Sequence, residues 1–217
     1  HLSPSAALAA GLCMLAGAAL LATWILPHAL APAYILAGVV LAYDFGGSLT
    51  RIFMGPILLA TARVLAFHMA AFGEAEWDTV LSHMGLVPGA TLAVWWLFLS
   101  RLARYEENGA PGMRILAFPA ILSLVPLLVS EQAEGNPWFF CLWAGLGLRL
   151  LIPAWRDRHQ GTAPAVVQAS VRRALVCSPL IPGALLLSAG APPAWVGVGL
   201  GVVVISVHGL ARIFPPE

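Results

Sequence analysis

The stretch Tyr43–Leu65, YDFGGSLTRIFMGPILLATARVL, sets a short polar turn between two apolar helices. The second of these helices carries Arg63 eight residues beyond Gly55, among apolar neighbours. An arginine at membrane depth costs roughly 2.5–3.5 kcal/mol on insertion scales, so it turns toward a cavity or a partner. Tyr43, Asp44 and Arg51 stand at the mouth, just outside. Two readings follow: a structural arginine that caps neighbouring carbonyls, or a basic pocket for an anionic ligand reached from the membrane surface.

Composition supports the membrane setting. Apolar residues make up 60% of the chain and charged residues 10%, and the mean hydropathy is positive. These are the values of an integral membrane protein. All 11 basic residues are arginine, and against 10 acids they leave a net charge of +1. That is no footprint for nucleic acid, so membrane lipids are the expected surroundings. The chain opens at His1 with no initiator methionine and no signal peptide. It is expected to be the C-terminal part of a longer chain, with 1–217 forming a single transmembrane helical domain. Cys13, Cys141 and Cys177 sit in apolar runs without metal-ligand spacing and are packing residues.

A bilayer crossing needs about 20 apolar residues. About eight candidate spans emerge, at 5–27, 31–45, 53–72, 88–104, 115–130, 136–154, 165–189 and 195–212. The expected fold is therefore an all-α, polytopic transmembrane helical bundle. Pro119, Pro126, Pro179 and Pro182 should kink the fifth and seventh spans. Pro56 and Pro88 fall in first turns, where a missing N–H does no harm. Small residues at interface spacing (Ala6, Ala10, Gly17, Gly145, Gly147, Gly197, Gly201) suit close helix packing.

Charge sets the orientation. With His1 on side A, that side collects Arg51, Arg101, Arg104, Arg114, Arg149, Arg156, Arg158, Arg172, Arg173 and Arg212. Side B holds Glu74, Glu76, Asp78, Glu131 and Glu134. The positive-inside rule makes side A cytoplasmic, with both His1 and Glu217 there. The side B stretch 73–87 is expected to form a short interfacial helix around Trp77.

Side A also carries the candidate chemistry. Arg101 and Arg104 are spaced i, i+3 and project from one helix face. They could hold a phosphate, while the adjacent Glu106 and Glu107 could help to ligate Mg²⁺. On spacing alone, a positive-inside anchor with local charge pairs is the better reading. Arg156-Asp157-Arg158-His159 reads as a solvated loop. His68 and His208 lie at opposite depths, which excludes one haem iron between them and leaves polar packing residues. Trp24, Trp77, Trp138, Trp143 and Trp155 fit aromatic belts at the interfaces. The sequence contains no nucleophile triad and no Gly-rich nucleotide loop, and no catalytic side chain is assigned.

At these residues the chain resembles the UbiA superfamily of intramembrane prenyltransferases. The resemblance is carried by Tyr43-Asp44, by Arg51…Gly55-Pro56…Arg63, by the arginine-rich end of the fourth span with Glu106 and Glu107, and by Pro164…Val171-Arg172-Arg173. Leu2-Ser3-Pro4-Ser5-Ala6-Ala7 is similar to the segment that follows the family's first aspartate-rich motif. The resemblance implies a UbiA-like helical bundle in a bacterial inner membrane, with a cavity open to the cytoplasmic side. It implies transfer of a prenyl group from a prenyl diphosphate, held through Mg²⁺, to a lipophilic acceptor. Tyr43, Arg51, Arg63, Arg101 and Arg104 would bind the diphosphate substrate. The chain departs from the family in lacking the first aspartate-rich motif, and Tyr105-Glu106-Glu107 stands where the second belongs. The 217 residues alone are thus expected not to transfer a prenyl group. The alternative is a non-catalytic subunit that holds a lipid or quinone, or packs within a larger membrane complex.

Overall fold

Proline and glycine punctuate a chain that is otherwise helical. The computed structural model describes residues 4–25, 30–47, 54–74, 83–110, 112–133, 135–159 and 163–213. Among them there is no strand. The helices are α1 (Pro4–Ile25), α2 (Leu30–Phe45), α3 (Gly55–Glu74), α4 (His83–Ala103) and α5 (Gly112–Leu124). A 3-10 segment (Val125–Ala133) follows, and then α6 (Pro137–Asp157), α7 (Pro164–Cys177), α8 (Leu180–Ser188) and α9 (Pro193–Ile213).

Four helical stretches are long and apolar enough to cross a bilayer: Leu86–Ala103, Arg114–Glu131, Pro137–Asp157 and Pro164–Ser188. Shorter apolar helices at Leu8–Trp24, Leu30–Phe45, Gly55–His68 and Pro193–Val203 occupy the places of the other four expected spans. The chain separates into two compact units, His1–Leu97 and Phe98–Glu217, with the boundary inside α4. The sequence reading expects one domain.

In the first unit α2 packs along α3, and α1 packs on α2. Where α4 meets α3 the approach is close, because a Cβ added at Gly89 would lie 3.2 Å from His68 Cε1. His68 is buried, and its Nδ1–H donates to the Val64 carbonyl at 2.9 Å. Its ring meets Phe67 edge-on. It is a polar packing residue on α3.

The second unit is organised around α6, which packs against α5, α7 and α8. Leu146, Leu150 and Ala154 form its buried stripe with Phe139, spacings of seven and four residues that face one side of a helix. Asn136 starts α6 by accepting the Trp138 N–H at 3.1 Å, and Pro137 takes the position where a missing N–H costs nothing. The same Asn136 donates to the Leu187 carbonyl at 3.0 Å, tying α6 to the end of α8. That end is a Schellman turn: Gly190, at φ 82°, donates to Leu187, and Ala191 donates to Leu186.

The prolines act at particular places. Pro126 opens the 3-10 segment and has no N–H to give the Ser123 carbonyl three residues back. The indole N–H of Trp143 supplies that bond at 2.6 Å. Trp143 is therefore spent inside the unit and is not part of an aromatic belt. The exposed tryptophans at helix ends are Trp24, Trp138, Trp155 and Trp195. Pro179 divides the seventh span into α7 and α8. Pro88 departs from expectation, since α4 begins at His83 and holds Pro88 in its interior. The apolar run from Met84 outweighs the one intrahelical hydrogen bond forfeited there.

The small residues divide: a Cβ at Gly147 would make ordinary packing contact with Ser123 at 3.9 Å. Gly17, Gly145, Gly197 and Gly201 have open space where a side chain would go. Close approach occurs at Gly89 and at Gly183, where an added Cβ would meet Leu142, Leu200 and Val196 at 3.3–3.4 Å. The expected interfacial helix around Trp77 lies outside the described residues.

Candidate functional site

Tyr43 comes from the last turn of α2, and Arg63 lies eight residues into α3, about 12 Å along its axis. The packing of α2 on α3 brings both to one open groove of about 290 Å³. The rest of its lining is hydrocarbon, led by Leu36 and Val39 of α2 and by Leu59 and Ala62 of α3. A phenol and a guanidinium are thus the polar side chains of an apolar trough. The Arg63 guanidinium lies 4.6 Å from the centroid of the Trp96 ring, a cation–π contact that keeps its donors free. Among the described residues no carboxylate pairs with it.

Asp44 does not share this groove. Successive residues on a helix point about 100° apart, and Asp44 lines a second groove of about 610 Å³ between α1 and α2. That groove is lined by Leu8, Leu12 and Leu15 of α1 and by Phe45. The mouth expected from the sequence is therefore divided by α2. Arg51, the other expected member, lies outside the described residues.

Arg101, Arg104, Glu106 and Glu107 belong to the second unit. α4 ends at Ala103, so Arg101 is in its last turn and the other three follow in a turn. The Tyr105 and Glu106 amides bond back to Leu102 and Ala103, and Gly109, at φ 73°, closes the turn onto the Tyr105 carbonyl. Arg101, Arg104 and Glu107 are exposed, while Glu106 is half-buried. Gln168 of α7 reaches the Glu106 carbonyl at 3.4 Å.

The sequence reading missed how this turn is held. Arg114 stacks on the Tyr105 ring at 5.1 Å and donates to its hydroxyl, and Phe118 packs on the same ring. The i, i+9 spacing across a Gly-containing loop gives no periodic signal that would reveal such a pair. The Arg156–His159 segment is likewise more than a solvated loop. Asp157 accepts from Arg173 at 2.8 Å, joining α6 to α7, and Arg158 stacks on Trp155 at 3.8 Å.

By themselves these residues do not fit Mg²⁺. The ion needs about six oxygens in near-ideal octahedral geometry, several of them from water and substrate. No three His, Cys, Asp or Glu side chains converge among the described residues. Glu106 and Glu107 remain two neighbouring carboxylates with no third beside them.

The helices and the groove define a class, a helical membrane protein with an arginine set in an apolar trough. No protein-family model matches the chain, and neither curated proteins nor solved structures give a significant match.

Proposed function

We propose that this chain is a UbiA-like membrane protein that binds an anionic isoprenoid amphiphile, of which a prenyl diphosphate is the leading case. The observation that carries the reading is the groove between α2 and α3: one guanidinium and one phenol in a hydrocarbon lining. Arginine is well shaped for phosphate oxygens, and the Trp96 face beneath it fixes its plane. The Cα–Cβ bond of Arg63 tilts toward the start of α3, so its head is carried toward the nearer membrane surface. The headgroup would sit there with its chain along Leu36, Val39 and Leu59, and Arg51 is a candidate for a second positive charge.

In the enzymatic form of this reading, the allylic C–O bond breaks and the electron pair leaves with the diphosphate. The carbon then bonds to a lipophilic acceptor, which gives up a proton. Arg63 and Arg51 offset the charge on the departing group, and the aliphatic walls exclude water from the carbocation. Arg101 and Arg104 are candidates for the same anion chemistry on the second unit. The cytoplasmic side of a bacterial inner membrane is the proposed setting. The second reading is a non-catalytic subunit that holds the lipid or a quinone, in keeping with Glu106 and Glu107 having no third described His, Cys, Asp or Glu to complete a metal-binding group.

The test is photo-crosslinking of a labelled prenyl diphosphate to the purified chain, with the matching uncharged prenol as competitor. Capture that falls at least ten-fold in Arg63→Gln, and that the prenol does not block, is expected. Equal capture by wild type and variant would reject the anion site. Retained capture without product, in the presence of Mg²⁺ and an acceptor panel, would select the non-catalytic reading.

A further inference from the structure

Arg149 stands eight residues before the end of α6, about 12 Å along the axis from Asp157. Leu150-Leu151-Ile152-Pro153-Ala154-Trp155 separates it from Arg156, so it lies below an apolar belt. Of the four long spans α6 is the least buried, at 22%. Cys141, Ala144, Gly145, Leu148, Arg149 and Ile152 are all exposed along one stripe at helical spacing. A Cβ added at Gly145 meets nothing within 4 Å.

The charge on this stripe has no ionic partner among the described residues. Among the described residues no hydrogen bond or ion pair reaches Arg149. The Cys177 thiol is an ionisable neighbour, and a thiol offers a guanidinium no counter-charge. Escape to the nearer surface is also disfavoured. Helical Cα–Cβ bonds tilt toward the N-terminus, which carries Arg63 toward its nearer helix end but Arg149 away from its own. A carboxylate that meets the guanidinium there offsets the cost of lipid exposure at this depth.

We propose that this face of α6 docks a transmembrane helix that carries an Asp or Glu at the level of Arg149, crossing at Ala144–Gly145. Among the described residues, a second copy of this chain offers no acid at that level. None of the described acidic residues stands midway along a helix: Asp44, Glu74 and Asp157 lie within two residues of helix ends, and Glu131 lies in the last turn of the 3-10 segment. The partner helix is therefore one that none of the described helices of this chain supplies. Ala144 and Gly145 let its backbone approach, and Arg149 sets its register.

The test uses the full chain in liposomes of neutral lipid, with fluorescent Leu-rich 22-residue helices that carry Glu or Gln eight residues from the C-terminus. Energy transfer should report association of the Glu helix about five-fold tighter than that of the Gln helix. The preference should vanish in Arg149→Gln and transfer to a Lys helix in Arg149→Glu. Gly145→Leu, which leaves the charge intact, should weaken both helices. Equal binding of the two helices to the wild type, or a Glu preference that survives Arg149→Gln, would overturn the proposal. So would self-association of the chain that excludes both helices, or a Glu preference abolished by anionic lipid, which would assign the face to a second copy or to headgroups.

Discussion

Arg63 and Arg149 are alike in sequence, each a lone arginine in an apolar run, and they differ in what surrounds them. Arg63 has an aromatic face under its guanidinium and a phenol across a groove. Arg149 has neither. A cation–π contact at an exposed site contributes about 0.5–1 kcal/mol, so Trp96→Leu should weaken prenyl diphosphate capture by about two- to five-fold. Arg63→Gln should cost at least ten-fold. Titration of both variants with the labelled ligand checks the order, and equal losses would mean that Trp96 does more than support the guanidinium. Tyr105 offers a test independent of ligand. Tyr105→Phe keeps the ring against Phe118 and Arg114 but removes the hydroxyl that Arg114 donates to. The expected loss is about 1 kcal/mol of stability in detergent unfolding.

At the scale of elements, the second unit depends on two places where regular helix fails. Pro126 leaves the Ser123 carbonyl short of its 3-10 donor, and Trp143 of α6 fills the gap. Trp143→Phe keeps most of the packing area and orphans that acceptor, which should cost about 1–3 kcal/mol. A stability change below about 0.5 kcal/mol would show that another donor takes its place. The second place is the α8 turn after Pro179, where Gly183 lets α6 and α9 come close. Gly183→Val should destabilise by about 1–3 kcal/mol through overpacking. Gly201→Val, with open space around it, should stay within about 0.5 kcal/mol. Both glycines sit in apolar helices, so nothing in the sequence ranks one above the other.

At the scale of the whole molecule, the positive-inside rule applied to the arginine asymmetry predicts which helix ends share a side of the membrane. In a variant whose native Cys13, Cys141 and Cys177 are replaced, single cysteines at Asn108 and His159 should label from the cytoplasmic side. One at Glu131 should label from the other side. Labelling of all three from one side would refute the alternation of α4 to α7 across the bilayer.

Helix positions were legible because bilayer crossing leaves so strong a mark on composition. Runs such as Pro137–Asp157 keep a high mean hydropathy over 21 residues even with Arg149 among them, and Pro179 and Gly190 end their elements through local backbone chemistry alone. The pairing of Tyr43 with Arg63 was legible too, since both flank one polar turn. Tertiary structure decided what depends on rotation about helix axes. It sent Asp44 to a different groove from Tyr43, put Trp96 under Arg63, and turned Arg149 outward while Leu146 and Leu150 face the core. The physical reason is that apolar residues surround these helices on every side. Hydrophobic periodicity, which orients a helix in a water-soluble protein, carries little information when lipid and core are equally apolar.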